Sequence, residues 1–213
     1  DNRVRHMDYG VQFNKLMYER LMAGGNITLF SPHDVPGLYD AFFADQDEFK
    51  RLYEQAERKT SIRKKVISAT ELFSAFMQER KDTGRIYLQN VDHANEHSSF
   101  KTEVAPIKQS NLCCEIDLPT KPLNDINDPN GEIALCTLSA VNWGSFKNPE
   151  DMEKACTLAV RGLDALLSYQ NYPIIAAQMA TENRRPLGVG IINLAFFLAK
   201  NDVSYSNPDA LKL

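Results

Sequence analysis

The sequence predicts an α/β fold. Segments with apolar residues at three- and four-residue spacing, the period of an amphipathic helix, alternate with short apolar runs typical of β-strands. This alternation favours a parallel sheet or a barrel. The 213 residues are enough for one large domain or for a piece of a larger one.

The elements follow from periodicity and from residues that begin or end helices. Ser61 is expected to cap a helix and Pro149 to start one, whereas Gly24 and Gly84 are expected to end helices. The predicted helices cover 11–23, 45–58, 61–81, 149–169 and 188–200, and the predicted strands cover 27–30, 85–90 and 133–141. Long polar loops are predicted over 91–110 and 118–131; such loops are often functional, and these two flank Cys113.

Composition excludes several classes of protein. The net charge of −4 argues against a dedicated nucleic-acid binder, and no apolar run is long enough to span a bilayer. Four cysteines are too few for a disulfide scaffold of this size, so a cytoplasmic location is expected. Asp1 has no initiator methionine before it, and a helix is predicted to begin near Leu213. We therefore expect a fragment of a longer polypeptide.

One short segment carries candidate chemistry. Asn111, Cys113 and Glu115 lie two residues apart, so they share one face if the chain is extended there. Each residue alone has an ordinary interpretation: a buried thiol, a surface acid or a turn residue. Together, between two polar loops, they favour a reactive site. Because a neighbouring carboxylate disfavours a thiolate, the pattern fits thiol or radical chemistry better than a protease-like nucleophile.

The remaining cysteines are more ordinary on sequence grounds. Cys136 lies within a predicted strand, where a packed core thiol is the stronger interpretation. Cys114 points away from Cys113 in an extended chain and is interpreted as packing. Cys156 lies on a predicted helix among apolar residues and is expected in the core.

No metal or nucleotide motif is evident. His93 and His97 are four residues apart but lie in a predicted loop, so a structural or surface role is favoured over metal binding. The pair Arg184-Arg185 could contact a phosphate or begin a solvated helix. No glycine-rich phosphate loop is present.

Longer motifs resemble a known family, the large (alpha) subunit of class I ribonucleotide reductase, of the aerobic class Ia type. The resemblance covers essentially the whole chain. The motifs that carry it are Arg5-His6-Met7-Asp8-Tyr9-Gly10, Thr28-Leu29-Phe30-Ser31-Pro32, Thr83-Gly84-Arg85-Ile86-Tyr87, Ser110-Asn111-Leu112-Cys113-x-Glu115, Leu118-Pro119-Thr120-Lys121-Pro122-Leu123-Asn124-Asp125, Gly131-Glu132-Ile133-Ala134-Leu135-Cys136-Thr137-Leu138-Ser139, and Arg184-Arg185 with Leu187-Gly188-Val189-Gly190. Cys114 departs from the pattern, where an apolar residue is expected, and is interpreted as a harmless packing substitution.

The resemblance implies a fold and a set of site residues. The chain, 1–213, would be the central segment of a ten-stranded α/β barrel, with a finger loop at about 106–118. Cys113 would become a thiyl radical, Glu115 would be the base for the 3′-hydroxyl, and Asn111 would contact the ribose, with Ser110 and Leu112 also at the substrate. Cys136 would be half of a redox-active disulfide whose other half lies outside this chain.

It also implies partners. The substrate would be a ribonucleoside diphosphate, and the radical would come from a metal-containing small (beta) subunit, with no cofactor or metal in this segment. Thioredoxin or glutaredoxin would be the reductant, the complete alpha subunit would be a homodimer, and ATP, dATP and dNTP effectors would bind elsewhere. Neither nucleic acid nor a membrane is expected as a partner. The isolated chain is expected to be inactive.

Two alternatives remain open on sequence grounds. The chain could be a non-catalytic assembly piece of a split reductase that works only with complementing chains. A weaker alternative is an unrelated thiol enzyme, which alkylation of Cys113 would block without any radical-generating partner.

Overall fold

A computed structural model describes residues 6–213, so Arg5, which begins one of the motifs above, lies outside the described residues. The chain forms two compact units, divided after Thr120. Both mix helices with strands, which confirms the predicted α/β class. The described residues form no closed barrel: each of their sheets has two strands.

The first unit builds its core around helices and two small sheets. Its elements are β1 (Tyr9–Phe13), α1 (Lys15–Met22), β2 (Asn26–Phe30), α2 (Leu38–Ala44), α3 (Gln46–Arg58), β3 (Lys64–Ser68), α4 (Ala69–Thr83), β4 (Ile86–Asn90) and α5 (Val91–Glu96), with a 3₁₀ turn at Pro32–Asp34. Strands β1 and β4 pair in parallel, and β2 and β3 pair antiparallel. The core includes Phe13, which stacks on Phe73.

The second unit is built on one parallel strand pair. Its elements are β5 (Thr137–Asn142), α6 (Pro149–Tyr169), α7 (Ile175–Arg184), β6 (Leu187–Ile192) and α8 (Leu194–Lys200), with 3₁₀ turns at Trp143–Ser145 and Pro208–Lys212. Strands β5 and β6 pair in parallel, with Thr137 opposite Leu187. Buried Leu163 and Leu167 lie on α6, which packs on this sheet.

Helices with strong local end signals are confirmed. The Asp45 side chain accepts a hydrogen bond from Glu48 N and caps α3, and Asn148 does the same from Asp151 N at the start of α6. Gly84, with φ of 67°, ends α4 in the left-handed conformation.

Two predicted helices began too early. Residues 11–13 belong to β1 rather than to a helix, and residues 64–68 form β3, so that Ser68 and not Ser61 caps α4. In both places a short strand precedes a helix, and its apolar residues continue the helical period by chance. The strand partner of β1 is 77 residues away at Gln89, where local periodicity gives no sign of it.

Other boundaries were also wrong. The segment 188–200 divides into β6 and α8, because Gly188 and Gly190 weaken a helix and the β-branched residues between and after them favour a strand. The strand predicted from residue 133 begins at 137, and the loop predicted from residue 91 begins with α5. Helix α7 was missed, so Arg184-Arg185 ends a helix rather than beginning one.

Candidate functional site

Residues 106–118, predicted to be the finger loop, make a tight turn at Cys113. Cys114 N donates a hydrogen bond to Asn111 O at 3.1 Å, and Cys114 has a φ of 60° in the left-handed region. The segment is therefore not extended, and the three side chains do not share one face in the way an extended chain would place them, because the backbone reverses at Leu112 and Cys113. Cys113 lies in this turn, exposed to solvent.

The turn nevertheless joins two of the predicted site residues. Asn111 Nδ2 donates to Glu115 Oε1 at 2.6 Å, while Asn111 Oδ1 accepts from Glu115 N at 3.2 Å and from Ile116 N at 3.0 Å. Ser110 Oγ donates to Ile116 O at 2.9 Å and closes the base of the turn. An amide and a carboxylate are thus held together on the two sides of the turn that carries Cys113.

A buried amide fixes the N-terminal side of the loop. Asn95 in α5 accepts from Ile107 N at 2.7 Å and donates to Ile107 O at 2.9 Å, as a strand partner would. It also donates to Val91 O at 2.8 Å. Asn95 and Ile107 are buried, so these bonds are shielded from water.

Two glutamines connect both sides of the loop to the sheet. Gln12 Nε2 donates to Lys108 O and to Gln89 Oε1, each at 2.8 Å. Gln89 Nε2 donates to Asp117 Oδ1, also at 2.8 Å. The hydrogen-bonded chain therefore runs from residue 108, before the turn, across β1 and β4 to residue 117, after it.

These supporting residues were missed in the sequence. A signal was present: Gln12 and Gln89 lie inside apolar segments, and a buried amide in such a place requires partners. Asn95 lies in a segment interpreted as a loop, so its burial at one face of a helix was not foreseen.

Two cavities in the first unit border the loop. One, of ≈ 480 Å³, is lined by Ser110, Asn111 and Leu112 together with the two glutamines. The other, of ≈ 550 Å³, includes Glu115, Asp117, His93 and His97. The predicted substrate contacts Ser110, Asn111 and Leu112 thus share one cavity, whereas Glu115 borders the other.

Cys114 lines both cavities and is partly buried, not turned into a packed core. Burial raises the pKa of the Cys114 thiol, and the negative charges of Asp117 and Glu115 raise it further. This thiol therefore stays protonated at neutral pH. A thiolate at Cys114, beside Cys113, is therefore disfavoured.

Cys136 lies in the second unit, just before β5, and is exposed, so the packed mid-strand interpretation is wrong. An exposed thiol on the approach to a strand is accessible for exchange. Cys156 is on α6, as expected, but it is partly exposed rather than in the core. All four cysteines are free thiols.

The candidate metal ligands do not complete a metal site, and the candidate phosphate-binding arginines are paired with carboxylates. His93 and His97 are on and just after α5, with ring centroids 6.1 Å apart, and within residues 6–213 no three His, Cys, Asp or Glu side chains assemble a metal site. Arg184 pairs with Glu132 at 2.6 Å, and Arg185 with Asp164 at 2.6 Å. These guanidinium groups have structural partners, which favours a structural role over phosphate binding.

Within the second unit, the Glu132 carboxylate pairs with two cationic side chains, Lys121 and Arg184. Burial alone would raise the pKa of its carboxyl, but hydrogen bonds and charges from Lys121 and Arg184 outweigh burial, so the pKa is lowered. Lys121 and Glu132 also form an isolated antiparallel bridge. Across the described part of the chain, no helix is both long enough and apolar enough to cross a bilayer.

Comparison with known proteins agrees with the motifs. The family profile described as ribonucleotide reductase, barrel domain, matches residues 1–213. The chain is 66% identical over 212 residues to ribonucleoside-diphosphate reductase 1 subunit alpha of Salmonella typhimurium and 64% identical over 212 residues to the protein of that name in Escherichia coli. It is 52% identical over 215 residues to ribonucleoside-diphosphate reductase subunit alpha of Enterobacteria phage T4.

These alignments cover 99–100% of this chain and 28% of each relative, so the chain spans little more than a quarter of the length of these proteins. The profile match and the identities lead to one conclusion. The chain belongs to the ribonucleotide reductase family, and it matches that family's barrel-domain profile.

Proposed function

We propose that this chain is the segment of a class I ribonucleoside-diphosphate reductase alpha subunit that carries the radical cysteine. The observation that supports this most directly is the turn that exposes Cys113 while holding Asn111 and Glu115 together by a 2.6 Å hydrogen bond. Hydrogen-atom transfer requires a thiol in a fixed position, and a tight turn on an anchored loop supplies one.

The chemistry assigns one role to each residue. A Cys113 thiyl radical takes the 3′ hydrogen atom of the ribose, forming an S–H bond and leaving a carbon radical. Glu115 accepts the 3′-hydroxyl proton as a general base, and Asn111 contacts the ribose. Ser110 and Leu112 line the same cavity as Asn111 and complete the substrate contacts.

The reduction itself needs two electrons. The 2′ carbon–oxygen bond breaks and the hydroxyl leaves as water, while Cys136 and a second cysteine outside this chain supply two electrons and two protons and close to a disulfide. The 3′ hydrogen then returns from Cys113, which regenerates the thiyl radical, and Glu115 gives back its proton. The exposure of Cys136 is consistent with such exchange.

The partners follow from this scheme. A metal-containing small (beta) subunit generates the radical, thioredoxin or glutaredoxin reduces the disulfide, and nucleotide effectors bind outside this segment of a homodimeric, cytoplasmic enzyme. The parallel pairs β1–β4 and β5–β6 support a place in the ten-stranded barrel, with residues 106–118 as its finger loop. A two-stranded sheet leaves both edges free for further strands.

The test uses a complete alpha subunit carrying these residues, assayed for reduction of a ribonucleoside diphosphate with the beta subunit and thioredoxin. Cys113→Ser and Cys136→Ser are expected to abolish turnover, whereas Cys156→Ser, at a partly exposed cysteine on α6, is expected to retain it. An active Cys113→Ser enzyme would refute the radical role. Inhibition by alkylation of Cys113 in a reaction that needs no beta subunit would favour an unrelated thiol enzyme instead.

A further inference from the structure

One buried glutamine, Gln89, and one half-buried glutamine, Gln12, lie opposite each other on neighbouring strands. Gln12 in β1 and Gln89 in β4 are direct register partners in the parallel pair, so their side chains share one face of the sheet. Gln89 is only 7% exposed. A buried carboxamide in a strand is costly unless it forms hydrogen bonds, and here two of the partners, Lys108 O and Asp117 Oδ1, belong to the finger loop.

The orientation of both glutamine amides follows from Asp117, the last acceptor in this series of hydrogen bonds. Asp117, as a carboxylate, only accepts, so Gln89 must direct its Nε2 group toward Asp117 and its Oε1 toward Gln12. Gln12 must then donate from its own Nε2, which also reaches Lys108 O. One carboxylate thereby fixes the direction of each bond along the path from Asp117 through the two glutamines to Lys108.

The other loop contacts do not tie both sides of the loop to the sheet. Asn95 holds only the N-terminal side, through Ile107. Ser110 and Asn111 join the two sides to each other, through Ile116 and Glu115, but not to the sheet. Gln89 joins the C-terminal side, through Asp117, to the sheet and, through Gln12, to the N-terminal side. The position of the turn relative to β1 and β4 therefore depends on this amide.

We propose that Gln89 is a positioning residue for Cys113: its carboxamide couples both sides of the finger loop to the sheet, so that the thiol meets the ribose at a fixed distance. This inference rests on the proposed radical function of the loop. Hydrogen-atom transfer depends steeply on distance, and a displacement of about 1 Å can lower a rate by about a hundredfold. Losing the coupling therefore reduces kcat more than it raises KM.

The experiment reverses the direction of one hydrogen bond in the complete subunit, assayed with its beta subunit. Gln89→Glu keeps an acceptor for Gln12 but places a second carboxylate against Asp117, with no donor between them. We expect kcat to fall at least about tenfold, with a smaller change in KM. Adding Asp117→Asn supplies an amide donor to the new carboxylate. The Gln89→Glu/Asp117→Asn enzyme has the native net charge and the same number of bonds, so kcat should return to within about threefold of native.

Two control variants accompany it. Asp117→Asn alone still offers an amide oxygen to Gln89, so a loss of less than about threefold is expected. Gln78→Glu breaks the same type of contact, from Gln78 Nε2 to Asp82 Oδ1 at 2.8 Å, but on an exposed helix surface away from the loop. Its kcat should equal that of the native enzyme.

The outcomes are distinguishable. Native kcat in Gln89→Glu overturns the inference, and so does a double variant that is unfolded or inactive, because the inference requires the reversed bond to restore the loop. Should the single variant fail to fold, the double variant decides. A purely packing role for Gln89 predicts no rescue by Asp117→Asn. Failure of the proposed function has a separate signature: Cys113→Ser then turns over as fast as the native enzyme in the same assay.

Discussion

Replacing Asn95 by leucine should release the N-terminal side of the loop that carries Cys113. The native amide both accepts from Ile107 N and donates to Ile107 O, and Ile107 is 1% exposed. Leucine has a similar size but no polar atoms, so the backbone N–H and C=O of Ile107 lose their amide partner in a buried place. Each orphaned group costs about 1–3 kcal/mol.

The two groups together give a local cost of about 2–4 kcal/mol, because some of the penalty is relieved when the segment shifts toward water. Since about 1.4 kcal/mol corresponds to a factor of ten, amide exchange in the segment around Ile107 should become about 30- to 700-fold faster. Hydrogen exchange followed by mass spectrometry on the complete subunit measures this directly. The lost bond to Val91 O, within the same helix, adds little.

Asn201→Leu provides the matched control. Asn201 Nδ2 donates to Phe197 O at 2.8 Å, which repeats the bond from Asn95 to a carbonyl four residues earlier, but on an exposed surface. We expect a stability change within about 0.5 kcal/mol and no change in exchange around Ile107. Exchange in Asn95→Leu within threefold of the native rate would refute the reasoning, because Asn95 would then not hold this segment.

Three further predictions concern chemistry, pH and backbone conformation. Glu115→Gln should lower kcat by about 10²–10⁴-fold in steady-state assays, because an amide cannot accept the 3′-hydroxyl proton. Calorimetry should show that the substrate still binds to this variant. An unchanged kcat would refute the proposed role of Glu115 as the base. The lowered pKa of Glu132 contributes stability that is complete above the unfolded value of about 4.3 and is lost as pH falls through the folded pKa. In Glu132→Gln, the stability measured by circular dichroism during acid unfolding should therefore depend less on pH in this range. An unfolding curve identical to that of the native protein would contradict the assignment. A Cβ added at either Gly84 or Gly162 would meet nothing within 4 Å, so backbone conformation alone should decide the effect of alanine. Gly84→Ala, at φ of 67°, should destabilise the fold by about 1 kcal/mol, whereas Gly162→Ala, inside α6, should stabilise it by about as much. Thermal melting that shows the same sign for both variants would contradict this explanation.

Local signals predicted those elements whose ends are encoded by neighbouring residues. The caps at Asp45 and Asn148 and the stop at Gly84 depend on contacts within a few positions, so α3, α6 and the end of α4 follow from the sequence. Short strands directly next to helices did not, because β1 and β3 are defined by partners far along the chain. An apolar run of five residues fits the periodicity of a helix as well as that of a strand.

The site shows the same division between residue identity and geometry. The motif around Cys113 identified Asn111 and Glu115 as its companions, and the structure joins these two directly. The turn that joins them was not foreseen, because a left-handed φ at Cys114 is unusual outside glycine. The support from Gln89 was missed for another reason: only the folded sheet shows that this amide is buried and faces the loop.

The loop is held in place mainly by carboxamides. Gln12, Gln89 and Asn95 anchor its two sides, and Asn111 closes its turn. A carboxamide neither ionises near neutral pH nor exchanges electrons, so its hydrogen bonds keep the same donors and acceptors throughout. In the proposed reaction, the thiol and the carboxylate on this loop change protonation or oxidation state in every cycle. The parts that hold them are chemically inert to those changes, so the loop can return to one geometry after each turnover.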